Sequence, residues 1–232
     1  GGTGGDAKGT FNISTAASFV VAGAGVHVAK HGNRSMTSKS GSADVLTELG
    51  VDITLSPDKV AKCIDNIGIG FMFAPSLHPA MKYAMGARTA LETRTVFNIL
   101  GPLCNPAGVK RQLMGIFEGS LTDKVAEVLK KLNSKTAMVV HGYEGLDEIS
   151  TTASTKISYL KENNTIDSMA ISPSDFGFST TTIDSLKGGE PNENAKIILD
   201  ILNNKDKGPK RDIVILNAGA GILIGGKSNS IE

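Results

Sequence analysis

Residues 12–50 read NISTAASFVVAGAGVHVAKHGNRSMTSKSGSADVLTELG, and this stretch decides the fold class. Asn12-Ile13-Ser14-Thr15 is a helix-start signal running into small and apolar residues, which predicts a helix over 14–24. Val26-His27-Val28-Ala29-Lys30 predicts a short buried strand over 26–30, ending at a polar loop over 31–40. A second helix follows over 42–49, closed by Gly50, the residue that most often stops a helix because it accepts a left-handed backbone. Helix, strand, polar loop and helix in so few residues form the unit of an α/β protein.

The alternation continues outward. Helices are expected over 57–67, where Ser56 caps and Pro57 opens, and over 78–92, 122–132, 192–203 and 212–224. Strands are expected over 69–73, 113–117, 137–140, 156–160 and 168–171, with a Gly/Asn/Pro-rich loop over 187–194. The expected architecture is a central mixed, mostly parallel sheet flanked by helices. Polar loops repeatedly follow strands, which is where open α/β sheets bind ligands.

Composition narrows the function. A chain of 232 residues with formal net charge +1 carries no electrostatic footprint for nucleic acid or an anionic membrane. Aromatics make up 5% and Trp is absent, which argues against base-stacking platforms. Cys63 and Cys104 lie far apart with no CxxC, so neither a disulfide framework nor a zinc site is expected, and a reducing, cytoplasmic setting suits two free thiols. No apolar run reaches the ~18–20 residues of a membrane span, and no signal peptide is visible.

Two segments are built for anions. Gly1-Gly2-Thr3-Gly4-Gly5-Asp6 lets main-chain N–H groups approach a phosphate without a Cβ in the way, and the helix start at Asn12 adds free donors and a positive dipole end. It is neither a Walker A loop nor a GxGxxG fingerprint. Asp6 beside phosphate donors calls for a metal or a sugar hydroxyl between carboxylate and phosphate, so a phosphorylated sugar or a metal–phosphate complex is expected. A phosphate loop normally follows a strand, and here that strand has at most a residue or two, so an N-terminal segment is expected to be missing. The second segment, residues 30–44, holds four cationic or titratable groups (Lys30, His31, Arg34 and Lys39) and five hydroxyls, the last of them Ser42, where it enters a helix. The plain alternative is a solvated loop with a Ser cap.

Further along, Asp147-Glu148 in GLDE, after the strand ending at His141, are adjacent hard ligands suited to Mg2+, although a solvated acidic turn has the same composition. His78 and Arg88 stand ten residues apart, close to three helical turns, so one face can carry both, and Arg88 can clamp a carboxylate. Each has a plain reading too, as a helix-start histidine and a surface ion pair.

Taken in order, GTGGD, FNIST, KHGNRSMTSKSGSADVLTELG, HPAMKYAMGAR, RTVFNILGPLCNP, VVHGYEGLDEIS, PNENA and LNAGAGILI strongly resemble the anthranilate phosphoribosyltransferase family over residues 1–224. The resemblance implies a nucleoside phosphorylase/phosphoribosyltransferase-like C-terminal domain over 1–232, without the family's N-terminal helical domain. It implies transfer of phosphoribosyl from 5-phosphoribosyl 1-diphosphate (PRPP) to the amine of anthranilate in tryptophan biosynthesis, with Mg2+ as cofactor. The full-length family is expected to be homodimeric, with anthranilate synthase components as candidate partners. Carried onto this chain, Gly2, Gly5, Asp6 and Thr10 contact PRPP. Asn12, Ile13, Ser14 and Thr15 hold its phosphates. Lys30, His31, Gly32, Asn33, Arg34, Ser35, Met36, Thr37, Ser38 and Ser42 enclose diphosphate and ribose. Ser14, Asp147 and Glu148 are the metal residues, and Gly2, Asn33, His78, Arg88 and Pro102 line the anthranilate path. No acid or base is implied, because an aromatic amine is already neutral and nucleophilic. Cys104 stands where the family usually has Thr. Two other classes remain open: a pyrimidine-nucleoside phosphorylase, although the chain lacks that class's Thr-Gly-Gly run, and a non-catalytic phosphoribosyltransferase-like binding protein.

Overall fold

The computed structural model describes residues 1–3, 8–35, 39–78, 83 and 96–232. Gly5, Asp6, Met36, Thr37, Ser38 and Arg88, and nearly all of the helix expected over 78–92, lie outside the described residues.

The first half builds a small parallel layer. Helix α1 (Ile13–Gly23) leads to strand β1 (Val28–Gly32), then helices α2 (Ser42–Glu48) and α3 (Pro57–Ile67), then strand β2 (Ile69–Phe73) with the short helix α4 (Ala74–Leu77) on its end. β1 and β2 pair in parallel, Lys30 opposite Phe71. Helix α3 follows its sequence signals: Pro57 opens it, and Gly68 ends it in the left-handed conformation. Helix α5 (Phe97–Leu103) was not expected, since Pro102 argues against a helix interior. It is tolerated because it falls in the last turn of a two-turn helix.

The second half is a four-stranded sheet in the order β3 (Arg111–Gly115), β4 (Thr136–Gly142), β5 (Thr155–Leu160), β6 (Ile166–Ile171). β3 and β4 pair in parallel, and β4, β5 and β6 pair antiparallel. The class is α/β with mixed sheets flanked by helices, as expected. The described ladders are evenly split between parallel and antiparallel pairs, because β4, β5 and β6 follow one another with no α-helix between them to cross back.

Helix α6 (Thr122–Lys131) covers one face of this sheet and helix α8 (Pro209–Ile224) the other. Strand β4 shows why its sequence is apolar throughout. Ala137 and Val139 pack with Val125, Ala126 and Leu129 of α6, whereas Met138 and Val140 pack with Leu216, Ala220 and Ile224 of α8. A strand covered on both faces has no polar side to show. A third cluster joins α1, α7 (Pro191–Leu202) and α8 through Ile13, Ala17, Val21, Ile198, Ile213 and Val214. Both α7 and α8 begin earlier than the sequence suggested, at Pro191 and Pro209, each in the first helical position.

Candidate active site

Between the β1 and β3 sides of the molecule lies a cavity of about 1290 Å3. Its construction starts at Gly1–Thr3, which run beside the end of β3: the Gly1 amine donates to Leu113 O (2.9 Å), Gly115 N to Gly1 O (3.0 Å) and Thr3 N to Gly115 O (2.9 Å). The glycine-rich segment therefore leaves from a strand-like start.

The acidic loop closes over this start. Asp147 is 8% exposed and sits against Gly2 and Gly115. A Cβ at Gly2 would overlap Asp147 Oδ2, and one at Gly115 would overlap the Asp147 carbonyl oxygen. The two glycines thus bring the carboxylate next to the main chain that leads into the anion loop. Glu148 lines the cavity itself.

Lys30 comes from β1 and is 8% exposed, its Nζ donating to Ser14 Oγ at 3.3 Å. Burial pushes its pKa down to about 8, and Glu148 opposes that shift. Lys30, Glu148 and Asp147 all lie within electrostatic reach of the Gly1 nitrogen. A buried cation, two carboxylates and the start of the glycine segment are therefore in electrostatic contact at one point.

Helix α1 presents Ser14, Ala17, Ser18 and Val21 to the cavity, the spacing of one helical face. Ile13 and Thr15 point elsewhere and are buried. Asn12 is fully engaged: its Nδ2 donates to Ser40 O (3.1 Å), while its Oδ1 accepts from Ser40 Oγ (3.2 Å) and Asn194 Nδ2 (3.0 Å). It ties the loop over 31–40 and helix α7 to the start of α1.

That loop is organised by Asp44, which sequence reasoning did not single out as a site residue. Its carboxylate accepts from Ser35 N (3.0 Å), Gly41 N (2.9 Å) and Arg34 Nη1 (2.8 Å). Burial pushes Asp44 upward, but these donors more than offset it and hold its carboxyl below the usual range. An acid three residues after a helix's N-cap, in Gly41-Ser42-Ala43-Asp44, is the signal that marks it.

His31 and His78, which also line the cavity, meet edge to face, ring centroids 5.0 Å apart. Their Nε2 atoms are both buried without a hydrogen-bond partner, a condition that suits a polar ligand group. Burial first, then His78, lowers the pKa of His31. Pro102 stands beside them in α5, its carbonyl accepting from Gln112 Nε2 at 2.6 Å.

Of the sequence-predicted residues, the cavity brings together Gly2, Ser14, Lys30, His31, Gly32, Asn33, Arg34, Ser35, His78, Pro102 and Glu148. Thr10, Asn12, Ile13, Thr15, Ser42 and Asp147 are not on its wall. Thr10 bridges to Lys187, and Ser42 Oγ donates to Asn33 O at 3.3 Å behind the loop. Asn217 also lines the cavity; it falls in the LNAGAGILI segment, but no role of its own was legible there.

The donor set fits Mg2+. Asp147 and Glu148 are adjacent hard oxygen donors, Glu148 on the cavity wall and Asp147 off it, and among the described residues there is no group of three or more His, Cys, Asp or Glu side chains that could hold a metal ion. Mg2+ sites typically use one or two carboxylates completed by substrate phosphates.

The family profile described as glycosyl transferase family, a/b domain, matches residues 1–232. The chain is 53% identical to the anthranilate phosphoribosyltransferase of Petrotoga mobilis over 231 residues, covering all of this chain and 67% of that one. Its structure resembles the crystal structure of anthranilate phosphoribosyltransferase from Thermus thermophilus with a TM-score of 0.93 and 42% identity, over 99% of this chain and 68% of that chain. It also resembles the Saccharomyces cerevisiae enzyme in complex with PRPP and Mg, with a TM-score of 0.86 and 28% identity, over 98% of this chain and 64% of that chain. A further structure of the yeast enzyme holds 4-fluoroanthranilate. The chain thus spans about two thirds of the length of these relatives. With matches of this extent lying on the cavity just described, the chain belongs to the anthranilate phosphoribosyltransferase family of pentosyltransferases.

Proposed function

We propose that residues 1–232 are the α/β catalytic domain of an anthranilate phosphoribosyltransferase, moving the phosphoribosyl group of PRPP to the amine of anthranilate and releasing diphosphate. The observation that carries this reading is the convergence of Lys30, the Gly1–Thr3 segment and the acidic loop at one cavity that His31, His78 and Pro102 also line. The buried cation and main chain suit a diphosphate, and the histidines and proline suit a flat ring with a polar edge.

The reaction breaks the C1–O bond of PRPP and forms a C1–N bond. Negative charge grows on the leaving diphosphate while positive charge grows on the ribose, so catalysis means stabilising the first and positioning the amine. Lys30, still charged at neutral pH, faces the diphosphate from a site where its field is poorly screened. Gly2 and Ser14 line the same end, Gly2 supplying main chain and Ser14 a hydroxyl. Asp147 and Glu148, with Ser14, would hold Mg2+, which when bound supplies further neutralisation of the diphosphate oxygens. Asn33, His78 and Pro102 orient the acceptor, with Arg88 facing its carboxylate. The acceptor amine is neutral at physiological pH, so no side chain has to deprotonate it before attack. The setting we propose is a cytoplasmic, homodimeric enzyme of tryptophan biosynthesis that works beside anthranilate synthase components. Among the described residues no helix is long and apolar enough to cross a membrane.

The test is anthranilate consumption, followed by loss of its fluorescence, in the presence of PRPP and Mg2+. In a full-length version of the protein, Asp147→Asn combined with Glu148→Gln lowers turnover by roughly two orders of magnitude or more, as for loss of a main electrostatic stabiliser. Near-normal turnover of the double variant at limiting Mg2+ removes the acidic loop from the mechanism. Phosphorolysis of thymidine or uridine, with no consumption of anthranilate, overturns the reading as a whole.

A further inference from the structure

We propose that Asn217 is a positioning residue for the acidic loop, setting the main chain at Ile149 and thereby the direction in which Asp147 and Glu148 present their carboxylates. The inference rests on the phosphoribosyl-transfer reading above and deepens it.

Asn217 lies in α8 and is 1% exposed. Its Oδ1 accepts from Ile149 N at 2.9 Å, and its Nδ2 donates to Ile149 O at 2.8 Å and to Ile213 O at 2.9 Å. Both hydrogens of the amide are used, and the side chain grips both main-chain groups of one residue, as a neighbouring strand would. Ile149 is also fixed through its side chain, fully buried among Met138, Val140, Ile157 and Leu216. It immediately follows Glu148. The loop's other end is closed by its own turn, Gly142 N to Leu146 O at 2.8 Å and Gly145 N to Gly142 O at 2.7 Å.

Between these two anchors the acidic pair has little freedom to turn. The turn holds itself, so the far anchor is the one that a single side chain controls. Loss of that amide leaves the N–H and C=O of Ile149 buried and unpaired, and the main chain rotates to find other partners. Because ligand orientation depends on such supporting bonds, the effect on the carboxylates shows in the Mg2+ dependence, which a change of the cavity lining at Asn217 alone leaves unaltered.

A purely structural role would lower stability without changing metal dependence, so the experiment separates the two. Asn217→Ala is compared with Ile198→Ala, a fully buried residue between α1 and α7, with both proteins held at conditions of equal folded fraction. PRPP binding is measured by calorimetry across a Mg2+ series, and amide exchange is followed at residues 147–149. Asn217→Ala is expected to weaken Mg2+-dependent PRPP binding about tenfold or more, as for loss of a ligand-orienting partner, with recovery at raised Mg2+ and faster exchange at Glu148 and Ile149. Ile198→Ala is expected to keep the wild-type Mg2+ dependence. If Asn217→Ala does not fold, Asn217→Asp, of the same shape, is read in the same way. An Asn217 variant whose Mg2+ dependence equals that of Ile198→Ala overturns the inference. A wild-type protein that binds no PRPP with Mg2+ overturns the functional reading, and this inference with it.

Discussion

PRPP binding takes up a proton at Lys30, and the amount follows from where that side chain sits. Lys30 is nearly enclosed, and burial lowers its pKa from 10.5 to about 8. At pH 8 about half of the molecules therefore carry a neutral amine. A diphosphate beside Nζ favours the charged form and returns the pKa toward its ordinary value, so binding draws in about half a proton from Lys30 at pH 8 and almost none at pH 6.5. The ligand contributes little of this, because a phosphate monoester with its second pKa near 6 is already ionised at pH 8. Comparison with Lys30→Met removes the uptake of every other group.

Calorimetry at pH 8 in two buffers of different ionisation enthalpy measures the uptake, and the difference between wild type and Lys30→Met isolates the Lys30 share. A difference below about a tenth of a proton refutes the reasoning, because Lys30 would then be charged throughout or far from the ligand. The same linkage fixes the sign for stability. The folded-state pKa lies below the unfolded one, so between about pH 8 and 10.5 the unfolded chain binds more protons and stability rises with pH. Below pH 8 the buried charge costs up to about 3 kcal/mol, the free-energy equivalent of the drop from 10.5 to about 8. Lys30→Met therefore stabilises the protein at pH 7 while weakening PRPP binding, the trade expected of a charge retained for function.

Three further outcomes can be measured. Gly115→Ala drives a methyl group into the Asp147 carbonyl and is expected to cost about 1–3 kcal/mol in urea unfolding while also weakening Mg2+-dependent PRPP binding; unchanged binding would show that the acidic loop tolerates displacement. Arg88→Ala is expected to raise the KM for anthranilate far more than that for PRPP, with Lys rescuing only in part because a point charge cannot form the bidentate fork; equal effects on both substrates would make Arg88 structural. Asp123 accepts from the Ser168 hydroxyl, from Lys156 Nζ at 2.9 Å and from Ser158 Oγ at 2.7 Å, and these hold its carboxyl at about 2. Its contribution is present above the ordinary carboxylate pKa and is lost as pH falls through 3.8 toward 2. Because the side chain is half exposed, Asp123→Asn should remove only about 1 kcal/mol at pH 7 and flatten acid unfolding in that window; an unchanged acid transition would refute this.

Much of this molecule is written in local pattern. The periodicity of residues 12–50 yields α1, β1 and α2 to within two residues, and Ser56-Pro57 with Gly68 brackets α3, because caps and breakers act on their immediate neighbours. Lys30, His31, Ser14 and Glu148 were legible as candidates because cations, hydroxyls and acids cluster in short segments, His78 because it opens an expected helix, and Asn33 and Pro102 through the family resemblance; the structure sets all of them around one cavity. β1 and β3 nevertheless lie two residues away from their predicted positions, at Val28 and Arg111. Strand limits are set by the partners, Ile69 opposite Val28 and Thr136 opposite Arg111, and those partners are distant in sequence.

What remained hidden depended on contacts across the chain. Asn217 stands in an apolar helix more than sixty residues from Ile149, and nothing in its neighbours marks it until α8 packs behind the loop. Gly115 looks like any small strand residue until the Asp147 carbonyl is placed against it. Asn12 reads as a cap or a phosphate ligand, but the fold commits its side chain to Ser40 and Asn194. Sequence by itself determined which chemical groups the protein owns and which short segments they ride on, because propensity and periodicity are properties of neighbours. Only the tertiary structure decided which of those groups share a cavity and which are consumed in holding it open, because a side chain can satisfy only the partners that folding brings within hydrogen-bond reach.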